Sequence, residues 1–187
     1  SLNWIINIDP MQIGPCSPDL MQRYAIADIF FSMNGNSWLR KDQWLSGSSE
    51  CNWQGVICEN GKDVTDLKLG SNNITGSVPS TMGSLSNLIL LDMYSNQITG
   101  SLPASLGSLT DLQFIDIFDN KISGTIFDGF YNLLDLQSVR FSKNMLSGGI
   151  DTKISNLQQL KQFWAAENYL EGTLPTGIGA LSSLRSI

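Results

Sequence analysis

The sequence predicts an α/β solenoid of about five 24-residue repeats and a partial sixth one, preceded by a helical cap. Three observations predict this fold: the period holds from residue 64 to the end, apolar residues alternate at the start of every unit, and one Asn and one Gly recur in each complete unit. A repeat of this size cannot bury its apolar face alone, so neighbouring units must stack. The units begin at Val64, Leu88, Leu112, Leu136, Leu160 and Leu184. The chain therefore divides into a cap, residues 1–63, and a repeat array, residues 64–187.

The first positions of each unit are predicted to form a short β-strand. Positions four and six are apolar, as in Leu67 and Leu69, and the residues between them are free to face solvent. This period of two is typical of a strand with one buried face. Strands of successive units, about 4.8 Å apart, would form a parallel sheet whose outward face carries positions three, five and seven.

An Asn occupies position nine of every complete unit, and a Gly occupies position thirteen. A side-chain amide both donates and accepts, so we expect each Asn to bond main-chain groups of its own unit and of the next unit. The Gly fits a backbone that turns sharply without a Cβ. The predicted Asn ladder consists of Asn72, Asn96, Asn120, Asn144 and Asn168.

The sequence of the repeats resembles that of a known family. The stretches LGSNNITGSVPSTMGSLSNL and LLDMYSNQITGSLPASLGSLTDL resemble the plant-type leucine-rich repeat, LxxLxLxxNxLxGxIPxxLGxL, and the resemblance covers essentially residues 64–187. It implies a right-handed arc with a concave parallel β-sheet. Phe127 and Asp151 replace the Pro of this pattern, and Tyr131 and Ser155 replace its Gly. We therefore expect a different outer backbone in the third and fourth units.

Two helices are expected in the cap. A short one would span residues 2–8, with Trp4, Ile5 and Ile8 at helical spacing. A second one would open at Ser17 as the N-cap and end near Asn34 and Gly35. Its apolar face, predicted to pack on the edge of the first repeat, consists of Leu20, Tyr24, Ala27, Phe30 and Phe31.

The stretch CNWQGVIC at the end of the cap contains two of the three cysteines. By themselves, Cys51 and Cys58 fit a disulfide, a pair of free thiols or half of a metal site, although three cysteines without histidine make a zinc site a poor alternative. The stretch resembles the CxWxGVxC cap of plant-type repeat ectodomains, which implies a Cys51–Cys58 disulfide with Trp53 packed over the first coil. Cys16 would then be a free thiol or have lost a partner.

Composition excludes several classes of function. The net charge of −6 and the pI near 4.4 argue against a nucleic-acid surface, which needs basic residues. The absence of histidine removes Ser-His-Asp and Cys-His catalysis and His-liganded metals. Asp92 and Asp116 could form a carboxylate pair, but on an open, wet face. We expect no enzyme, no cofactor and no bound metal.

The outward sheet face carries the candidate binding residues. Aromatic and apolar side chains cluster there with charges, which is typical of a protein contact. The predicted partner-binding residues are Leu90, Asp92, Tyr94, Phe114, Asp116, Phe118, Arg140 and Trp164. Asn73, in Asn73-Ile74-Thr75, is a candidate glycosylation residue if the protein is secreted.

Two functions follow from these observations. The first is a non-enzymatic recognition module, resembling receptor ectodomains, that binds a protein, peptide or glycan on the concave face. The alternative is a structural subunit of a larger, membrane-associated complex. The disulfide implies the extracellular space or the secretory lumen, or, for the alternative, an organelle lumen. No apolar run is long enough to span a bilayer. Because the chain starts at Ser1 instead of Met, we expect that a leading segment has been removed or left out. Because it stops within a repeat, with no C-terminal cap, we expect further residues past Ile187 or another chain to cover that end.

Overall fold

Two helices and a β-hairpin lead into a regular series of short strands. The computed structural model describes residues 2–14, 17 and 19–187. Helix α1 spans Leu2–Asn7 and helix α2 spans Leu20–Ser32. The strands are, in chain order, β1 (Val56–Glu59), β2 (Asp63–Lys68), β3 (Thr75–Gly76), β4 (Leu90–Asp92), β5 (Gln97–Ile98), β6 (Phe114–Asp116), β7 (Ser123–Gly124), β8 (Ser138–Arg140), β9 (Met145–Gly148), β10 (Gln162–Trp164) and β11 (Tyr169–Leu170).

The principal sheet has the strand order β1-β2-β4-β6-β8-β10. Its first pair is antiparallel, and every later pair is parallel. The register keeps equivalent positions of successive units opposite each other, since Leu67 pairs with Leu91 and Leu91 pairs with Ile115. The sequence period is therefore the step from one strand to the next, and the predicted parallel sheet of the solenoid is confirmed.

A single apolar core lies behind this sheet. Leu91 and Met93, at positions four and six of the second unit, are fully buried on the sheet side of this core. Leu106 and Leu109 close the same layer from the opposite side. The core continues into the cap through residues such as Trp53, so the cap and the first repeats bury one another. Burial of such apolar surface is the main source of folding free energy.

The outer side of each unit is a 3-10 turn, and all five turns have the same length. The expectation of a different outer backbone in the third and fourth units is wrong. Phe127 and Asp151 adopt φ of −65° and −71°, against −71° at Pro103, because an ordinary residue reaches the φ that proline fixes. The turns are Ser80–Ser84, Ala104–Ser108, Asp128–Asn132, Thr152–Asn156 and Thr176–Ala180.

The Asn ladder forms at position nine, but each Asn bonds its own unit and the preceding unit, not the next one as predicted. The Asn120 Nδ2 donates to the carbonyls of Met93 at 3.0 Å and Ile117 at 3.1 Å, and its Oδ1 accepts from the Ile98 N–H at 3.0 Å. One side chain thus links two units, as also happens at Asn96, Asn144 and Asn168. The first member, Asn72, instead bonds the main-chain N–H and C=O of Arg40 at 2.6 and 3.0 Å. The cap therefore takes the place of the missing preceding coil.

The disulfide joins strand β1 to the 3-10 turn Glu50–Asn52 that precedes it. Cys51 and Cys58 are bonded, with their Cα atoms 5.5 Å apart. Closing this loop restricts the unfolded chain and stabilises the cap by about 2–3 kcal/mol. The predicted free thiol, Cys16, lies outside the described residues.

Helix α2 is buried over most of its circumference, which corrects the predicted single apolar face. Phe31, assigned to that face, is 42% exposed, whereas Arg23 is fully buried. The Arg23 Nε donates to Asp9 at 2.6 Å and its Nη1 to Glu50 at 3.4 Å, and its guanidinium lies 4.8 Å from the centre of the Trp53 ring. A periodicity of apolar residues cannot reveal this side, because a paired cation occupies it.

The ends of the cap helices also differ from prediction. Ile8 follows the last residue of α1 and is 58% exposed, so only Trp4 and Ile5 pack inward. The N-cap position of α2 is Asp19, not Ser17. The Ser17 hydroxyl accepts a hydrogen bond from the Asp19 N–H at 3.3 Å, in the turn before the helix.

Candidate binding face

The predicted binding residues share one face of the principal sheet. Strands β4 and β6 contribute their first and third residues, and β8 and β10 contribute their third residues. Tyr94 and Phe118 lie two residues after the ends of β4 and β6. The register places Leu90 opposite Phe114 and Asp92 opposite Asp116. The structure therefore brings together all eight residues that the sequence singles out, but their surroundings divide them into two groups.

The first group, here called the closed half, consists of Asp116, Phe118, Arg140 and Trp164. The Arg140 Nη1 donates to the Asp116 Oδ2 at 2.6 Å. The same guanidinium lies 5.2 Å from the centre of the Trp164 ring and 5.4 Å from the centre of the Phe118 ring. The Lys143 Nζ lies 5.3 Å from the centre of the Phe118 ring. The Arg140 guanidinium therefore already contacts a carboxylate and two rings of this half, although its buried Nε has no hydrogen-bond partner among the described residues.

The second group, the open half, consists of Leu90, Asp92, Tyr94 and Phe114. Tyr94 and Phe114 are each 37% exposed. The Tyr94 ring lies against the backbone of Gly70, where any Cβ would overlap it. This ring is therefore held by the shape of the preceding unit, and its other surface stays available to solvent.

Asp92 is the charged group of the open half. Its Oδ1 accepts the Tyr94 N–H at 3.4 Å, and within the described residues no cationic side chain forms an ion pair with it. Burial raises the pKa of Asp92 above its ordinary value of 3.8, and the neighbouring Asp116 carboxylate raises it further. The cation opposite Asp92 in the register is Lys68, whose Nζ lies 3.6 Å from Asp66.

Several contributors to this face were not among the predicted residues. Gly70 makes room for Tyr94, and the Arg40 guanidinium, which comes from the cap, donates to the Gly70 carbonyl. Lys143 covers Phe118, and the Ser186 hydroxyl accepts the Trp164 Nε1–H at 2.7 Å. Only Gly70 carries a sequence signal, because a Gly on an outward position beside an aromatic residue of the next unit indicates close packing.

The two carboxylates of the predicted pair have different partners. Asp116 is paired with Arg140, whereas the Asp92 Oδ1 accepts the Tyr94 N–H. In the part of the chain that the structure describes, no cluster of three His, Cys, Asp or Glu side chains could hold a metal ion. None of the helices in those residues is both long enough and apolar enough to cross a membrane.

Comparison with known proteins identifies the repeats. Residues 62–122 match the family model for the leucine-rich repeat. The chain is 43% identical over 51 residues to the LRR receptor-like serine/threonine-protein kinase GSO2 of Arabidopsis thaliana, and this match covers 27% of the chain and 4% of that kinase.

Two solved structures have the same fold. The LRR ectodomain of the plant membrane receptor kinase GASSHO1/SCHENGEN3 from Arabidopsis thaliana, in complex with CASPARIAN STRIP INTEGRITY FACTOR 2, matches with a TM-score of 0.83 and 29% identity, over 89% of this chain and 20% of that one. The plant peptide hormone receptor RGFR1, in complex with RGF2, matches with a TM-score of 0.61 and 34% identity, over 62% of this chain and 18% of that one. The chain thus spans a small part of these relatives. Its repeats are leucine-rich repeats, and its fold is that of the plant receptor ectodomains.

Proposed function

We propose that this chain is a non-enzymatic recognition module that binds a peptide or an extended segment of a protein on the concave sheet face. The observation that carries the proposal is the open half, where Tyr94 and Phe114 remain exposed beside Leu90. Exposed aromatic rings in a contiguous patch are typical of protein contacts, because their burial supplies large apolar area with little loss of side-chain entropy.

The scaffold below this patch suits recognition of an extended chain. Successive strands present equivalent positions in register, so a segment lying across them meets the same geometry at each unit. The Asn ladder and the 3-10 turns hold these strands in fixed positions. A rigid face loses little entropy on binding, which favours affinity. The related receptor ectodomains, whose names describe a peptide hormone receptor and a complex with an integrity factor, support the same class of partner.

A random peptide library displayed on phage tests the proposal. The immobilised chain is used to select peptides, and each selected peptide is then measured against Phe114→Ser and Leu134→Ser by calorimetry. Leu134 is an exposed leucine in the loop before β8, away from the sheet face, and serves as the matched control. We expect Phe114→Ser to weaken binding at least tenfold and Leu134→Ser to leave it within twofold. Equal affinities for both variants would contradict binding on this face.

The structural-subunit alternative gives a different result with the same material. A permanently docked subunit would bury its aromatic face against a fixed neighbour, and the isolated chain would then self-associate. We expect instead a monomer by size-exclusion chromatography with light scattering at the concentrations used for binding. Self-association abolished by Phe114→Ser would favour the subunit.

The disulfide and the receptor ectodomain fold support an extracellular or secretory compartment. Asn73 stays the candidate glycosylation residue there. It is exposed with a positive φ of 56°, its Nδ2 donates to the Ser37 carbonyl at 3.1 Å, and the Thr75 hydroxyl accepts from Asn34 at 3.2 Å. Expression in a secreting eukaryotic host should give a mass loss on treatment with an N-glycan amidase, and Asn73→Gln should remove it.

A further inference from the structure

We infer that the open half selects a basic side chain, Arg or Lys, of the bound segment and that Asp92 is the group that holds it. This inference rests on the proposed function, because it names the chemistry of the partner at the same face. It assigns a specificity-determining role to one carboxylate, and it predicts where along the face the charged residue of the partner lies.

The first argument is the state of the Asp92 carboxylate. It is partly buried between Leu90 and Tyr94, and its one hydrogen bond within the described residues is the long one from the Tyr94 N–H at 3.4 Å. A carboxylate partly withdrawn from water loses solvation, and the long hydrogen bond from Tyr94 together with the charges of Lys68 and Arg140 replaces it only in part, because the pKa of Asp92 stays above its ordinary value. An incoming guanidinium or ammonium group would restore this interaction, so the site favours a cation over a neutral or acidic group.

The second argument is that the nearby cations are already engaged. Lys68 lies 3.6 Å from Asp66, and Arg140 lies 2.6 Å from Asp116. The Arg40 guanidinium donates to the Gly70 carbonyl. Moving any of these groups to Asp92 would leave another polar group without its partner. The charge of Asp92 is therefore available to a ligand.

The third argument is the presence of two aromatic rings near the Asp92 carboxylate. The Tyr94 ring and the Asp92 Oδ1 both lie over Gly70, and Phe114 lies on the next strand, opposite Leu90. Both rings are partly exposed. Arg and Lys side chains combine a cationic end with an apolar stem, and they bind favourably to ring faces next to a carboxylate. The closed half shows this arrangement within the chain, where Arg140 contacts Asp116, Phe118 and Trp164. The open half has the carboxylate and the rings, but none of the cations in the described residues is paired with that carboxylate.

The phage-displayed peptide library provides the test. Peptides selected on the native chain are sequenced and resynthesised, and a second version of each carries citrulline in place of Arg or norleucine in place of Lys. Both versions are measured by calorimetry against the native chain, Asp92→Asn and Asp135→Asn. Asp135 is an exposed aspartate in the loop before β8, outside the sheet face, and controls for the loss of one negative charge. Thermal unfolding of each variant confirms that it is folded.

We expect the selected peptides to be enriched in Arg or Lys. Asp92→Asn and the neutral peptide should each weaken binding at least tenfold, the two changes together should add little, and Asp135→Asn should have less than a twofold effect. Peptides whose binding is lost in Phe114→Ser but unchanged in Asp92→Asn, or unchanged by citrulline, would overturn this inference and leave the proposed function intact. Peptides insensitive to Phe114→Ser would overturn the proposed function itself.

Discussion

Phe114 and Phe118 lie four residues apart in the third unit, and the sequence predicts that both face outward from the sheet. Their contacts in the structure are different. Phe114, in the open half, is 37% exposed. Phe118, in the closed half, is covered by Arg140 at 5.4 Å and Lys143 at 5.3 Å. The difference teaches that an aromatic residue on an outward position is a binding candidate only if the chain does not already use its ring. The predictions below test this distinction, starting with the largest expected effect.

The two halves should rest on an equally stable scaffold. Asn96 lies below the open half and Asn144 below the closed half, and each donates to two carbonyls of successive units. Replacing either with Ala leaves buried main-chain groups without partners, so each variant should lose about 1–3 kcal/mol of unfolding free energy. Urea unfolding measures both. A loss confined to one of them would mean that the halves differ in their backbone and not only in their side chains.

The two phenylalanines should differ in their effect on stability. Phe118→Ser removes a ring that two cations contact, and we expect a loss of about 1–2 kcal/mol. Phe114→Ser removes a ring that is more exposed, and we expect less than about 1 kcal/mol. Thermal unfolding should show a melting temperature lower by about 2–4 °C per kcal/mol for a chain of this size. Equal losses for the two variants would remove the distinction between the halves.

Gly70→Ala should change the open half alone. The added Cβ would overlap the Tyr94 ring, which must then rotate away, and it would also crowd the Asp92 carboxylate. We expect a loss of stability of about 0.5–1 kcal/mol, comparable with a mild overpacking. In ¹⁵N–¹H spectra the shifted amides should be those near Tyr94 and Asp92. Large shifts at Phe118 or Arg140 would show that the two halves are coupled.

The smallest expected effect is the contribution of Asp92 to the pH dependence of the free energy of unfolding. Because its pKa is raised in the folded protein, the folded state keeps this proton to a higher pH than the unfolded chain does. The free energy of unfolding should therefore fall as the pH rises from about 3.8 through the raised pKa, and Asp92→Asn should remove that part of the fall. The variant should match the native chain near pH 3 and exceed it near pH 7, by less than about 1 kcal/mol because the side chain stays partly solvated. Urea unfolding at both pH values measures this, and a variant less stable than the native chain at pH 7 would show that Asp92 is paired.

The repeat register and the ladder are predictable from sequence because both follow from the period. A position that recurs every 24 residues must occupy the same place in each coil, so the sequence predicts that Asn120 bonds two units. The period does not reveal that the second unit is the preceding one. The same reasoning places Asp92 and Phe114 on the outward face. Position alone fixes which way a strand residue points.

The division of that face into two halves is not predictable in the same way. It depends on the rotamer with which Arg140 reaches one strand back to Asp116 and also covers two rings. It also depends on contacts of single residues, such as Gly70 below Tyr94, which have no counterpart in the other units. The buried Arg23 of helix α2 is a comparable case, because its partners Asp9 and Glu50 are far apart in sequence.

Photo-crosslinking tests the central claim, that the open half is the binding surface, most directly. p-Benzoylphenylalanine is placed at Tyr94 in one variant and at Tyr169 in another, and each is irradiated with a selected peptide. Tyr169 is the more exposed of the two tyrosines and lies on β11, outside the principal sheet. The account predicts a covalent adduct, seen by mass spectrometry, at position 94 and not at position 169. An adduct at position 169 without one at position 94 would contradict it.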